Sequence, residues 1–212
     1  MLDAVVIDLD GTIVDCAPRH YACYADLARE HGIAPLDAQT YWNMKRARAS
    51  WASILGVDAA GLQADHFADR FAERIELPRY LALDRMYPDA GAALRRIRAV
   101  AHAIFLVTMR RDADRLRRQL ARLGIASLFD RVIARGTSAC GSKSGLAAEA
   151  LPRVGSRTAW IGDTEDDIMA AREAGALACA VCSGLRERRL LEAERPDLIA
   201  NSLGTMAALL DT

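Results

Sequence analysis

Six short apolar runs recur along the chain, at residues 4–7, 104–107, 132–134, 159–161, 177–181 and 198–199. Each is continuous, without polar alternation, the pattern of strands buried on both faces of a parallel sheet. Helical patterns lie between them. Residues 112–123 carry apolar side chains at Ala113, Leu116, Leu120 and Leu123 and stop at Gly124, which suits a left-handed helix terminus. Pro88 fits the first turn of a helix with a buried stripe of Leu94, Ile97 and Ala101. Strands alternating with helices predict a doubly wound α/β domain with a Rossmann-like parallel sheet.

Residues 15–84 break that rhythm. Residues 17–31 read as a helix ended by Gly32, and Leu62, Phe67, Phe71 and Ile75 mark another apolar helix face, with no buried strand between them. The expected organisation is an α/β core from residues 1–14 and 85–212 and an inserted all-helical cap at 15–84. Linkers are expected near 14–17 and 82–87. A chain of 212 residues can build one sizeable core with such an addition.

Basic and acidic side chains number 28 each, which argues against a general electrostatic hold on nucleic acid or an anionic membrane. Five cysteines without a framework spacing read as reduced thiols. The start has no secretory pattern, and no apolar run reaches membrane-spanning length. A soluble cytoplasmic protein, monomeric or homodimeric, is expected.

In an open parallel sheet, ligands bind beyond the carboxyl ends of the strands. Four polar features converge there: Asp8 and Asp10 of "VVIDLDGTIVD", Thr108, Lys143, and the run "GDTEDD" at 162–167. In an extended strand Asp8 and Asp10 would share a face and repel. With Asp163 they offer hard oxygen ligands suited to Mg²⁺. Alone, "DLDGT" also reads as a turn, Thr108 as a helix cap, and Lys143 as a solvated lysine. The loop "GTSACGSKSG", which leads into a helix near 146–151, misses the P-loop pattern because Ser142 separates Gly141 from Lys143. Neither acidic cluster has EF-hand spacing.

Taken together, "DLDGT", Thr108, Lys143 and "GDTEDDIMAAREAG" resemble the four motifs of the haloacid dehalogenase-like superfamily, in order and across nearly the whole chain. The helical insertion is similar to the caps of its phosphoglycolate phosphatase and β-phosphoglucomutase branches. The resemblance implies that Asp8 is the nucleophile, that Asp10 is the acid/base with its backbone carbonyl on Mg²⁺, and that Asp163 is a further metal ligand. It also implies that Asp167 orients that shell, with Lys143 offsetting phosphoryl charge. Gly11, Thr12, Thr108, Met109, Arg110 and Lys45 complete the expected substrate-binding set. Dehalogenases and phosphonate-cleaving relatives lack the second aspartate, so Asp10 argues for phosphate chemistry.

The expected function is a Mg²⁺-dependent phosphatase acting on a small phosphate monoester, phosphoglycolate-like, through an aspartyl-phosphate. The alternatives are a phosphomutase and a non-catalytic regulatory protein of the same fold. Lys45, Arg46 and Arg48 lie between Trp42 and Trp51. They read either as a packed, solvated face or as a site for a second anionic group of the substrate, which Arg110 could meet from the core side. The arginine-rich stretch 110–122 reads as a solvated helix face and Cys179 and Cys182 as core residues. Among the histidines, only His20 has a position that suggests function.

Overall fold

The computed structural model describes residues 1–56, 62–137, 141–150 and 157–211. Ser138, Ala139 and Cys140 of the Gly/Ser-rich loop, and Leu151 at the expected end of the following helix, lie outside the described residues. The chain divides into two units, Met1–Asp15 with Arg85–Thr212, and Cys16–Asp84.

The first unit is built on β1 (Leu2–Ile7), β4 (Ala101–Thr108), β5 (Arg131–Ala134), β6 (Thr158–Gly162), β7 (Leu177–Val181) and β8 (Leu198–Ala200). They form one parallel sheet in the order β5-β4-β1-β6-β7-β8. The register sets Val5 between Ile104 and Ala159. Successive side chains alternate between two cores, which is why the strands read as unbroken apolar runs. Val5, Ile7, Ile104, Leu106 and Ile161 pack under α6 (Ala90–Val100), α7 (Ala113–Arg122) and α11 (Leu203–Leu210). Val6, Phe105, Val107 and Trp160 face α8 (Lys143–Ala150), α9 (Glu165–Glu173) and α10 (Arg188–Ala193). Each such buried side chain contributes about 1.5–3 kcal/mol of apolar transfer free energy.

Local chemistry sets the helix ends. Asp112 caps α7 by accepting from the Arg115 N–H at 2.9 Å, and Gly124 takes φ +70° beyond its end. Two details differ from the sequence expectation. Asp89 is the N-cap of α6, so Pro88 lies just before the helix. Ala101 is extended (φ −128°, ψ 137°) and opens β4 directly, so it does not close the helical stripe. Where linkers were expected, β2 (Val14–Asp15) and β3 (Arg85–Met86) pair antiparallel.

In the second unit the described elements are all helical: α1 (Ala17–Glu30), α2 (Ala38–Arg46), α3 (Trp51–Leu55), α4 (Leu62–Arg74) and α5 (Pro78–Leu81). Its core is aromatic, with Tyr24 stacked on Tyr41 at 4.3 Å and Phe67, Phe71 and Tyr80 beside them. Lys45 Nζ sits 4.9 Å from the Trp51 ring centre, a cation–π contact. His20 is edge-on to Trp42, and Arg19 pairs with Asp84 at 3.1 Å, both buried. No helix among the described residues is long and apolar enough to cross a membrane.

Candidate active site

Because the strands are parallel, their carboxyl ends deliver side chains to one edge of the sheet. Asp8 directly follows β1, its N–H donating to the Ile161 carbonyl at 2.9 Å. Asp163 directly follows β6, and Thr108 ends β4. Lys143, expected in a loop, is the first residue of α8, and this fixes its stem. Asp8, Lys143, Asp163 and Asp167 are exposed by only 4%, 6%, 0% and 1%.

Buried charges persist only when paired, and Lys143 does the pairing. Its Nζ lies 2.8 Å from Asp8 Oδ1 and 2.8 Å from Asp167 Oδ1. Asp167 is held further by Trp160 Nε1 at 3.2 Å and Thr164 Oγ1 at 2.6 Å. It lies in the first turn of α9, where the helix dipole favours an anion. Asp163 accepts from Thr12 Oγ1 at 3.2 Å and from the Leu185 N–H at 2.6 Å.

The loop after β7 lies tight against Asp163. A Cβ on Gly11 would come 2.1 Å from Asp163 Oδ2, and one on Gly184 would come 2.0 Å from it. Gly11 also takes φ +82°, which closes the turn after Asp8. Nothing in the sequence pattern marked Gly184 and Leu185, since a backbone N–H donor leaves no residue-type signature. Ser183 Oγ donates to the Gly11 carbonyl at 2.8 Å, and Arg186 pairs with Glu165 at 2.7 Å, which anchors both ends of this loop.

Carboxylate oxygens of Asp8, Asp163 and Asp167 all lie within 4.8 Å of one another. Burial pushes the Asp8 carboxyl up to about 7; Lys143 opposes this while Asp167 and Asp10 add to it. Burial, with the charges of Asp8 and Asp167, raises Asp163 as well. For Lys143, burial opposes the charge, but its two carboxylate partners outweigh it and hold the ammonium protonated. One cation among three carboxylates leaves excess negative charge on hard oxygen donors, and this fits a divalent cation such as Mg²⁺. Asp167 accepts from Lys143, Trp160 and Thr164, and Asp163 from Thr12 and Leu185, so Asp167 is the most heavily engaged of the three carboxylates.

Asp10 is not beside Asp8 on one strand face. β1 ends at Ile7, and the chain turns, with Ile13 and Val14 N–H groups donating to the Leu9 carbonyl at 3.0 and 2.9 Å. The Asp10 carboxylate instead receives Arg110, Nε to Oδ2 at 2.6 Å and Nη2 to Oδ1 at 2.7 Å. The turn sets the two aspartates against different cations, Lys143 for Asp8 and Arg110 for Asp10. Thr12 spends its hydroxyl on Asp163, and Met109 packs against the core under α8 and α9. Lys45 belongs to the helical unit. An apolar pocket of about 340 Å³, lined by Leu116, Leu120, Ala126 and Val132 among others, contains none of these residues. The site is therefore marked by its charges and not by this concavity.

A family model described as "Hydrolase: haloacid dehalogenase-like hydrolase" matches residues 2–175. The phosphoglycolate phosphatase of Synechococcus elongatus is 28% identical, over 92% of this chain and 91% of its own. The N-acetylmuramic acid 6-phosphate phosphatase of Pseudomonas aeruginosa is 29% identical over 86% and 83%. A haloacid dehalogenase-like family protein from Streptococcus pneumoniae shares the fold with a TM-score of 0.79 at 21% identity, covering 98% of each chain. The family match spans all four acidic and basic positions gathered at the sheet edge, and on that ground the chain belongs to the haloacid dehalogenase-like hydrolases.

Proposed function

We propose that the chain is a Mg²⁺-dependent phosphatase that hydrolyses a small, phosphoglycolate-like phosphate monoester through an aspartyl-phosphate on Asp8. The observation that carries this reading is Lys143 bridging Asp8 and Asp167 beside Asp163. The names of the relatives support the substrate class. A soluble cytoplasmic enzyme, monomeric or homodimeric, is part of the same reading.

Lys143 holds one Asp8 oxygen, which leaves Oδ2 to attack phosphorus. As that O–P bond forms, the bond from phosphorus to the leaving alcohol breaks and Asp10 supplies the alcohol with a proton. A water then gives its proton to Asp10 and attacks the phosphoryl group, releasing inorganic phosphate and restoring Asp8. Thr108 and the N–H groups of Met109 and Arg110 would orient the phosphoryl oxygens, and Lys143 would offset their charge. Asp8, Asp163 and the Asp10 backbone carbonyl would hold Mg²⁺, which when bound supplies further positive charge to the transferring group.

The test is phosphate release from a panel of phosphate monoesters, with and without Mg²⁺. The expected result is Mg²⁺-dependent release that a chelator abolishes. An isomerised sugar phosphate without release would indicate a mutase instead, and no turnover of any ester would remove the enzymatic reading.

A further inference from the structure

The acid/base assigned to Asp10 is already engaged. Both of its oxygens accept from one guanidinium, at 2.6 and 2.7 Å, in the two-pronged geometry that makes arginine–carboxylate pairs strong and directional. Arg110 is only 4% exposed, so this is a built contact, and its own carbonyl is anchored by the Gly136 N–H at 3.1 Å. The Asp10 side chain is 19% exposed, the most open of the site's acidic groups, whereas Lys143 is committed to Asp8 and Asp167. The site thus has two separate cations, one for the nucleophile and one for the acid/base.

A carboxylate held at both oxygens cannot turn toward a leaving alcohol. Resting on the phosphatase reading, we propose that Arg110 is a substrate-operated latch. A phosphate ester that carries a second carboxylate takes over the guanidinium and so frees Asp10 to face the leaving oxygen, whereas an ester with a plain alcohol leaves the latch shut. Arg110 acts through Asp10 and is a positioning residue; the substrate class it selects is the carboxylated phosphate monoester. The exchange replaces one arginine–carboxylate pair by another of the same geometry, so the guanidinium is never left unpaired in its buried position.

The test compares 2-phosphoglycolate with ethyl phosphate, kcat and KM separately, for the wild type, Arg110→Gln and Arg110→Lys. The wild type should favour 2-phosphoglycolate in kcat by roughly tenfold or more, the scale of one charged hydrogen-bonding contact. Arg110→Gln should bring that ratio close to one and raise kcat for ethyl phosphate, and Arg110→Lys should fall between. A purely structural role would lower both substrates equally; that result, or a wild type with no preference, overturns the latch while the phosphatase reading stands. A wild type that hydrolyses neither substrate nor any other phosphate ester overturns both. Calorimetric binding of 2-phosphoglycolate and ethyl phosphate in an Asp8→Asn background provides a readout without turnover, in which Arg110→Gln should weaken only the carboxylated ligand.

Discussion

The floor and the rim of this site handle like problems differently. On the floor, Asp8 and Asp167 share one lysine beside Asp163, and all four side chains are nearly inaccessible. At the rim, Asp10 pairs with Arg110 and keeps part of its surface in water. Buried ions have no solvent to fall back on, so removing one member of the floor strands the others. A partly hydrated carboxylate can exchange partners. The difference teaches where rigidity and adjustability lie: Asp8, the proposed nucleophile, is fixed by a network, and Asp10, the proposed acid/base, by a contact that can be traded.

The contrast breaks first at Lys143. Lys143→Met should cost about 3–5 kcal/mol of stability by leaving Asp8 and Asp167 unpaired and lower kcat by about 10²–10³. Arg110→Gln should cost only about 1–2 kcal/mol, since water can reach Asp10. Equal losses in a thermal or denaturant melt would erase the distinction between floor and rim.

Acidity sharpens it next. The Asp8 carboxyl rises from 3.8 to about 7 through burial, so between those values the folded state binds the extra proton. Its contribution to stability is full below pH 3.8 and lost as pH rises through about 7, on the order of 4 kcal/mol at most. With divalent cations chelated, melting across that window should show falling stability. Saturating Mg²⁺ should flatten the slope; a chelated protein with no slope would contradict an Asp8 carboxyl raised by burial.

Gly184→Ala is expected to lose about 1–3 kcal/mol and to weaken Mg²⁺ binding measured by calorimetry, because the new Cβ would strike Asp163 Oδ2. An unchanged melt would mean that the loop after β7 yields freely. The smallest effect is at Lys45, whose sequence position alone suggests a part in substrate choice. Lys45→Ala loses the contact with Trp51, worth about 0.5–1 kcal/mol, and should raise KM a few-fold. An unchanged KM would confine Lys45 to packing.

Much of the core was legible because a parallel sheet writes itself as unbroken apolar runs, and each of the six runs overlaps a strand of the sheet. The ends of α1 and α7 were legible for the same local reason, a glycine at positive φ. The junction of α6 and β4 was not, since Ala101 suits either an apolar stripe or an extended start. At the site, residue types pointed to Asp8 and Asp163 at strand ends and to Lys143 in the loop after the third, and the structure brings these three side chains together. The clamp of Arg110 on Asp10 depends on a turn that lifts Asp10 out of the strand, and strand periodicity pointed the other way. Leu185 contributes through its backbone, which no side-chain pattern can announce.

The central claim is that Asp8 accepts the phosphoryl group. The direct measurement is an acid quench of the wild-type enzyme during turnover of 2-phosphoglycolate with Mg²⁺, followed by proteolysis and mass spectrometry. The account predicts one acid-stable, base-labile phosphoryl group on the peptide containing Asp8, absent from Asp8→Asn, with turnover of that variant reduced by at least about 10⁴-fold. A phosphoryl group on another residue, or an Asp8→Asn enzyme that turns over normally, would contradict it.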